Sequence, residues 1–428
     1  MLLYLFCNKS HYENVPFEIP ESWCWTTLGE LFDIVSAKRV LQSDWQRTGI
    51  PFYRAREIVR LSYEGYVDND LFITEEHYNN LKKSYGVPEP SDIMLSAVGT
   101  IGRAYVVRNN DVFYYKDASV LCLRNVYHLN SEFIKWILSS DLLQNQMYEN
   151  SKGTTVDTIT IEKANNYFLP LPPIAEQYRI VKLLCKWDAY INDINKNKEV
   201  ILNNIRTYKS KVLDLAISGK LVPQDPNDEP AIELLKRINP NFQPCDNSHY
   251  ENIEFDIPQN WVWATIGDIF EHNTGKALNA SNPNGTMLDY ITTSNLYWDR
   301  FELSIIKQMP FTESEIERCI VRKGDLLICE GGDVGRAAIW DYDYNIMIQN
   351  HIHRLRGKVD ICTRYFFYLF MHYKLHNLIG GKGVAIQGLS SRDIHNLIIP
   401  VPSLKEQYDI ASSIDLYFSK LDMITAEL

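Results

Sequence analysis

The pair His351-x-His353 is the first feature that could do chemistry, since alternate residues of a strand share a face and two imidazoles on one face can share a metal ion. A third ligand is not evident nearby. The matching stretch in the first half of the chain reads DASVLCLR and has no histidine. We therefore expect a packed or ligand-facing strand here and no metal site.

Other short motifs come close to enzyme signatures without completing them. Asn239-Pro240-Asn241-Phe242 lacks the second proline of the N-P-P-Y/F tetrapeptide with which methyltransferases hold a flipped base, and it lies in a polar linker. The strings GGDVGR and GGKG lack the G-x-G-x-x-G spacing, and no G-x-x-x-x-G-K-S/T loop exists. We expect no catalytic residue and no cofactor held by this chain.

Composition indicates an ordinary folded protein. Of 428 residues, 45% are hydrophobic and 23% charged, which suits two or three domains with sizeable cores. The eight cysteines form no C-x-x-C pair, so neither a thiolate zinc site nor a disulfide framework is indicated. The opening MLLYLFC is too short for a signal peptide or membrane span, which predicts a cytoplasmic protein. The net charge of -11 argues against a large uniform basic face.

An internal repeat defines the architecture, because three landmarks recur in the same order in both halves. The first copy begins HYENVPFEIPESWCWTTLGELF and the second HYENIEFDIPQNWVWATIGDIF. Each copy then has an apolar strand, a glycine turn and another strand, and ends in FLPLPPIAEQY or IIPVPSLKEQY. The matched segments are 11–35 with 249–273, 91–107 with 324–340, and 168–178 with 398–408. The sequence predicts two similar domains, each followed by a similar helix.

The middles of the two copies diverge, as SAKRVLQSDWQRTGIPFYRAREI against TGKALNASNPNGTMLDYITTSNL illustrates. One frame with two sets of loops is what a protein needs if each copy grips a different target of the same kind. Neutral drift of surface loops explains the divergence equally well.

A heptad seam follows each copy and predicts long helices over 174–218 and 404–428. Prolines 172 and 173 precede the first helix and Gly219 follows it, so it extends on the order of 65 Å. The second seam stops at Leu428, the counterpart of Lys198. The helices can pair antiparallel, or the seam can join two copies of the chain. The apolar seam positions are Ile180, Leu184, Trp187, Ile191, Ile194, Ile201, Ile205, Tyr208, Val212, Leu215, Ile410, Ile414, Tyr417, Leu421 and Ile424.

Taken together, the IPESWCWTTLGELF-like openings, the G-x-x-G-R turns, the LP-PP-x-EQ endings and the connector LDLAISGKLVPQDPNDEPAIELLKRI resemble the specificity subunits of Type I restriction-modification systems. The resemblance implies a non-catalytic subunit that binds double-stranded DNA and reads a split target with two target-recognition domains. It also implies two adenine-N6 methyltransferase subunits that use S-adenosylmethionine, and a motor-nuclease subunit that uses ATP, as partners. Family members normally carry a second helix about as long as the first, whereas here it is about half as long.

Residues that read DNA should be Arg, Lys, Asn or Gln at base edges, with Thr, Ser and backbone amides on phosphates. An arginine at a strand end is also often a solvated charge or the partner of a carboxylate, as Arg56 beside Glu57 illustrates. Arg103 and Arg336 recur in both copies, which fits phosphate holding or scaffold structure better than base discrimination. The candidates are Lys38, Arg39, Arg54, Arg56, Arg60, Thr100, Arg103, Lys152, Thr154 and Thr155 in the first copy, and Lys276, Asn279, Ser281, Thr293, Ser294, Asn295, Arg336, Lys382 and Gln387 in the second.

The predicted fold is α+β, with two similar mixed α/β target-recognition domains separated by long antiparallel coiled-coil helices in a pseudo-twofold internal repeat. The predicted boundaries are 1–172 and 245–402 for the domains, 173–220 and 403–428 for the spacer helices, and 221–244 for the connector. A homodimeric coiled-coil scaffold that does not bind DNA is the alternative.

Overall fold

A computed structural model describes residues 16–151, 157–245, 256–278, 285–379 and 389–428. The chain divides into two compact units, residues 1–194 and 195–428, and each is described by itself. Helix α7 (Ile174–Ile217) begins in the first unit and ends in the second.

The first unit combines short strands with short helices. Its strands are β1 (Cys24–Thr27), β2 (Asp33–Ser36), β3 (Ile50–Tyr53), β4 (Phe72–Ile73), β5 (Ile93–Ser96), β6 (Ala104–Val106), β7 (Tyr114–Tyr115), β8 (Val120–Arg124) and β9 (Phe168–Leu171). Its helices before α7 are α1 (Leu28–Leu31), α2 (Ala55–Glu64), α3 (Glu75–Tyr85), α4 (Ser131–Leu138), α5 (Asp141–Ser151) and α6 (Ile161–Asn165).

Strands of the first unit form an antiparallel sheet in the order β2-β8-β5-β6, a sheet β4-β3-β7 in which β3 and β7 are parallel, and a ribbon of β1 with β9. Every residue of β5 is buried, which explains its unbroken apolar run in place of an alternating pattern. One face of β5 packs through Ile93 and Leu95 into a core with α4 and α5, and the other packs through Met94 into a core with α2.

The second unit repeats this design. Its strands are β10 (Val262–Thr265), β11 (Phe270–Thr274), β12 (Thr286–Ile291), β13 (Leu296–Tyr297), β14 (Arg300–Phe301), β15 (Lys307–Phe311), β16 (Ile320–Val321), β17 (Leu326–Cys329), β18 (Ala337–Ile339), β19 (Ile346–Ile348), β20 (Ile352–Gly357) and β21 (Ile398–Val401). Its helices after α7 are α8 (Ala231–Lys236), α9 (Ile266–Ile269), α10 (Glu313–Cys319), α11 (Thr363–Leu375), α12 (Ser391–His395) and α13 (Leu404–Glu427).

Strand order and register confirm the predicted repeat. The sheet β11-β20-β17-β18 has the order of β2-β8-β5-β6, and the ribbon of β10 with β21 has that of β1 with β9. Trp25 lies opposite Pro170 in the first ribbon, as Trp263 lies opposite Pro400 in the second. The remaining sheets differ, since β15-β12-β19-β16 has four strands where β4-β3-β7 has three. The copies therefore share a frame and differ in the elements around it.

The long helices α7 and α13 begin at Ile174 and Leu404, and within the second unit their contact is antiparallel. Lys198 donates to the carbonyl of Leu428, while Lys209 lies 2.5 Å from a carboxylate oxygen of Asp422 and 4.9 Å from the Phe418 ring. Later residues of α7 thus meet earlier residues of α13. None of the helices in the described ranges is long and apolar enough to cross a bilayer.

Burial along the predicted seam is uneven. Ile205, Ile410 and Ile414 are buried, and Ile180, Leu184, Val212, Leu215 and Leu421 are half-buried. The seam positions that are exposed on the chain itself are Trp187, Ile191, Ile194, Ile201, Tyr208, Tyr417 and Ile424. Near its end α7 instead buries Leu213, Ala216 and Ile217 in the core of the second unit, so a different face of the helix packs there.

Candidate nucleic-acid interface

In each unit a glycine turn joins a central strand to the edge strand beside it, β5 to β6 in the first and β17 to β18 in the second. In the first, the amide of Ser96 donates to the Arg103 carbonyl at 2.9 Å and the amide of Gly102 donates back to Ser96 at 2.9 Å. The second has the same pair of bonds, from Cys329 to Arg336 at 2.8 Å and from Gly335 to Cys329 at 3.0 Å. A side chain at Gly102 would come within 2.7 Å of the Met147 sulfur, and φ there is +78°. Glycine is required because the turn is both left-handed and crowded.

The arginine after each turn lies over a tyrosine ring. Arg103 is 5.3 Å from the ring centroid of Tyr63, and Arg336 is 5.2 Å from that of Tyr297. Arg336 also donates to the Thr293 carbonyl at 2.7 Å. These contacts favour the scaffold interpretation of the two arginines, because the guanidinium groups are already engaged within their own domains.

Three candidates of the first copy come together beside this turn. Arg56, Arg60 and Thr100 line a cleft of about 330 Å³. Thr100 and Arg60 are exposed, and the turn is held next to residues 157–159 by a bond from the Gly99 amide to the Asp157 carbonyl at 3.2 Å. Hydroxyl and guanidinium donors around one cleft are the groups that hydrogen-bond to phosphates and base edges.

A carboxylate network orients the arginines before this cleft. Arg54 and Arg56 both bind Glu57, at 2.9 and 2.8 Å, and both reach Asp70. Burial alone would raise the pKa of Glu57, but hydrogen bonds from Arg54 and Arg56 outweigh it and hold that pKa below its usual value. Arg54 is thereby fixed within the domain, whereas the side chain of Arg56 remains 55% exposed.

Lys38 and Arg39 are exposed at the end of β2. The amide of Lys38 donates to the Tyr114 hydroxyl at 3.0 Å, and its ammonium lies 5.3 Å from the Tyr85 ring centroid. Lys38, Tyr85 and Arg124 line a second cleft of about 310 Å³. This cleft is a second group of donors in the first unit.

Two candidates of the second copy, Lys276 and Asn295, have buried side chains. Lys276 is 5% exposed, donates to the Pro310 carbonyl and lies 2.7 Å from an oxygen of Glu315, whose pKa falls below its usual value chiefly through that hydrogen bond. Asn295 is 8% exposed and closes its own loop, accepting from the Thr292 amide and donating to two carbonyls. Because both side chains are buried and satisfied, neither is presented to a ligand in this structure.

Around the same loop, Ser294 is exposed, and the carbonyl of Thr293 is taken by Arg336. Arg300, which sequence reasoning did not select, is exposed nearby and lies 4.5 Å from the Tyr297 ring centroid. The sequence feature that could have identified Arg300 is its position in the divergent segment directly after the loop. Lys152, Thr154, Thr155, Asn279, Ser281, Lys382 and Gln387 lie outside the described residues.

The two histidines of the H-x-H motif do not converge. His351 precedes β20 at a positive φ of 73° and lies 3.3 Å from Glu330, while His353 is buried with its Nδ1 2.9 Å from Nε2 of His272. Burial is the main reason that the pKa of both His272 and His353 falls to about 4. The charges of His395 and Arg354 add to the effect at His272, and that of His272 adds to it at His353. His272 and His353 are therefore a neutral, packed pair within the sheet, whereas His351 is exposed.

Comparison with known proteins places these features in a family. The model of the Type I restriction modification DNA specificity domain matches residues 20–204 and again 258–428. The specificity subunit of the Type I restriction enzyme EcoBI from Escherichia coli is 20% identical over 97% of this chain and 83% of its own length. That of MjaVIII from Methanocaldococcus jannaschii is 20% identical over 96% and 89%.

Solved structures agree at the level of the fold. The HsdS subunit from Thermoanaerobacter tengcongensis matches with a TM-score of 0.63 and 16% identity, covering 96% of this chain and 93% of that one. The two matched segments cover the two copies of the repeat, together with most of α7 and the whole of α13. The chain therefore belongs to the Type I restriction-modification DNA specificity family and carries two copies of its domain.

Proposed function

We propose that each unit reads one half of a split, asymmetric DNA target and that the spacer helices set the gap between the halves. The observation that supports this proposal is that the two units share a four-stranded sheet and its glycine turn but differ in the loops and strands around them. The turns after β5 and β17 share their main-chain bonds. The first lies beside the cleft of Arg56, Arg60 and Thr100, and the second beside the loop of Ser294. Two domains with the same strands and turn but different hydrogen-bond donors can bind two different DNA sequences in the same manner.

Partners supply the chemistry in this proposal. The chain is a non-catalytic cytoplasmic subunit that binds two adenine-N6 methyltransferase subunits and a motor-nuclease subunit, which use S-adenosylmethionine and ATP. Its net charge of -11 supports partners that provide most of the phosphate contacts, because non-specific DNA affinity comes from cationic side chains. The exposed apolar side chains of Trp187, Ile191 and Ile194 on α7 support docking along the helix.

A domain exchange tests the division of labour. Residues 257–402 are replaced by the corresponding segment of a relative with a different target, and methylated sites are mapped by sequencing the host genome. We expect one half of the methylated motif to change while the other half and the gap stay the same. The reciprocal exchange of residues 20–172 is the matched control and should change the other half only. An unchanged motif, or a change in both halves from one exchange, would contradict the proposal.

The homodimeric scaffold is not favoured by the family comparisons. It makes a separate prediction, namely a stable dimer of the purified chain with no affinity for duplex DNA alone or together with a methyltransferase subunit. Sedimentation and co-purification of the same preparation distinguish the two.

A further inference from the structure

Three metal-ligating side chains meet where α7 contacts α11 in the second unit. Nε2 of His372 and Nε2 of His376 lie 3.2 and 2.7 Å from the same oxygen of Asp214. In the described ranges, this is the one place where three such ligand atoms all lie within 4.8 Å of one another. Ligands of a tetrahedral zinc ion are about 2.0 Å from the metal and therefore about 3.3 Å from each other, so little movement would admit an ion.

Helix geometry aims the two imidazoles at one point. His372 and His376 are four residues apart, and this spacing places side chains one turn apart on the same face of a helix. His376 is the C-terminal cap of α11, where unpaired carbonyl groups give the helix end a partial negative charge. A cation placed between the rings is stabilised by that end of the helix as well as by Asp214.

Burial gives the cluster an inner wall and an open side. The side chain of His372 is 7% exposed, that of Asp214 is 32% exposed and that of His376 is 43% exposed. The neighbouring Lys374 is turned away, with its ammonium bonded to the Val334 carbonyl at 2.7 Å and 3.0 Å from Asp333. In the described part of the chain, the ion pairs of Asp214 are those with the two histidines. A metal ion thus has a route in from solvent, and no lysine or arginine of the described ranges forms an ion pair with Asp214.

We propose that Asp214, His372 and His376 bind a divalent first-row transition cation of the zinc type. Two imidazole nitrogens and one carboxylate oxygen are ligands that such ions accept, and water completes the coordination on the open side. Both Nε2 atoms then bind as neutral nitrogens, with the ring proton on Nδ1. The ion joins the spacer helix to α11, a helix of the core of the second recognition domain, and so stiffens the link between them.

Zinc binding by the full-length, tag-free chain tests the site. After treatment with EDTA and its removal, the chain is titrated with Zn²⁺ by calorimetry, and Co²⁺ is added to a second sample to record its visible absorption. We expect one equivalent of Zn²⁺, a Co²⁺ spectrum with nitrogen ligands at low coordination number, and a rise of the melting temperature of the second unit. The variants Asp214→Asn and His376→Gln should weaken binding by about a hundredfold or more.

A matched control separates the cluster from a histidine-carboxylate pair. His351→Asn removes an exposed imidazole that also lies beside a carboxylate, that of Glu330, but that belongs to no group of three ligand atoms in the described ranges. This variant should bind Zn²⁺ like the parent chain. His376 is exposed enough for its variant to fold, and circular dichroism verifies that it does. Absence of stoichiometric binding, or binding that survives both cluster variants, would overturn the proposal and leave a hydrogen-bonded ion pair.

Discussion

Arg336 provides a quantitative test of whether the recurring arginine holds the domain or holds DNA. Its guanidinium donates to the Thr293 carbonyl at 2.7 Å and lies over the Tyr297 ring. A hydrogen bond from a charged group contributes about 1.5–3 kcal/mol, and a partly exposed cation–π contact about 0.5–1 kcal/mol. Arg336→Ala should therefore lower the free energy of unfolding of the second unit by about 2–4 kcal/mol.

We expect a smaller loss of stability when Arg103 is replaced. Among the described residues its side chain contacts the Tyr63 ring but makes no hydrogen bond to a carbonyl group like that of Arg336. Arg103→Ala should cost about 0.5–1 kcal/mol. Arg300→Ala is the matched control, since Arg300 lies 4.5 Å from the same ring centroid as Arg336 but is exposed. Its expected cost is also about 0.5–1 kcal/mol.

Hydrogen exchange followed by mass spectrometry under increasing urea measures the unfolding of each unit from its own peptides. Arg336→Lys adds a second discrimination, because lysine keeps the charge that a phosphate contact needs but loses the planar fork and its stacking. We expect this variant to lose most of the stability that alanine loses. A structural role for Arg336 is refuted by two results together. The β17 and β18 peptides stay as protected as before in both variants, and the DNA affinity of the assembled complex falls in Arg336→Ala but not in Arg336→Lys.

Three further predictions follow from burial and exposure. The pKa of buried His353 falls from 6.5 to about 4, so below pH 6.5 protons bind preferentially to the unfolded chain and the folded chain loses stability. His353 alone should account for a loss on the order of 3 kcal/mol at pH 4, to which His272 adds its own contribution. Melting temperatures between pH 7 and 4 check this, and His353→Gln should make the pH dependence shallower. Ile194→Asp should abolish co-purification with the methyltransferase subunit at unchanged melting temperature, whereas Asn195→Asp should not, because Ile194 is 65% exposed on the apolar side of α7. Lys276→Met should lower the free energy of unfolding by about 1–3 kcal/mol, since it leaves Glu315 without its partner, and the methylated motif should stay unchanged.

Features encoded by local pattern were predictable from the sequence. The helix over Ile174–Ile217 begins directly after Pro173 and ends before Gly219, as the punctuation of the chain predicted. The repeat could also be predicted. Trp25 and Trp263, which match in the sequence, pair with Pro170 and Pro400, which match as well. In both cases the information lies in neighbouring residues or in a comparison of the chain with itself.

Features set by contacts between distant segments were not predictable. Lys276 reads as a loop lysine, and its burial depends on Glu315, which lies 39 residues further along. Tyr208 fits the heptad, but α7 turns Leu213 and Ile217 toward a core that the heptad does not encode. The histidine cluster needs Asp214, which is 162 residues from His376. A single sequence contains no signal that pairs such residues.

The glycine turn explains how one frame can carry two specificities. Its bonds join main-chain atoms, so they tolerate serine at position 96 of the first copy and cysteine at position 329 of the second. Side chains on top of the turn are therefore free to differ. Thr100 offers a hydroxyl, whereas the counterpart Asp333 is a carboxylate held 3.0 Å from Lys374. A carboxylate repels phosphate and accepts from cytosine, while a hydroxyl can bind either phosphate or base. The same point of the fold thus presents groups of opposite character in the two units, while the strands beneath keep the same main-chain bonds.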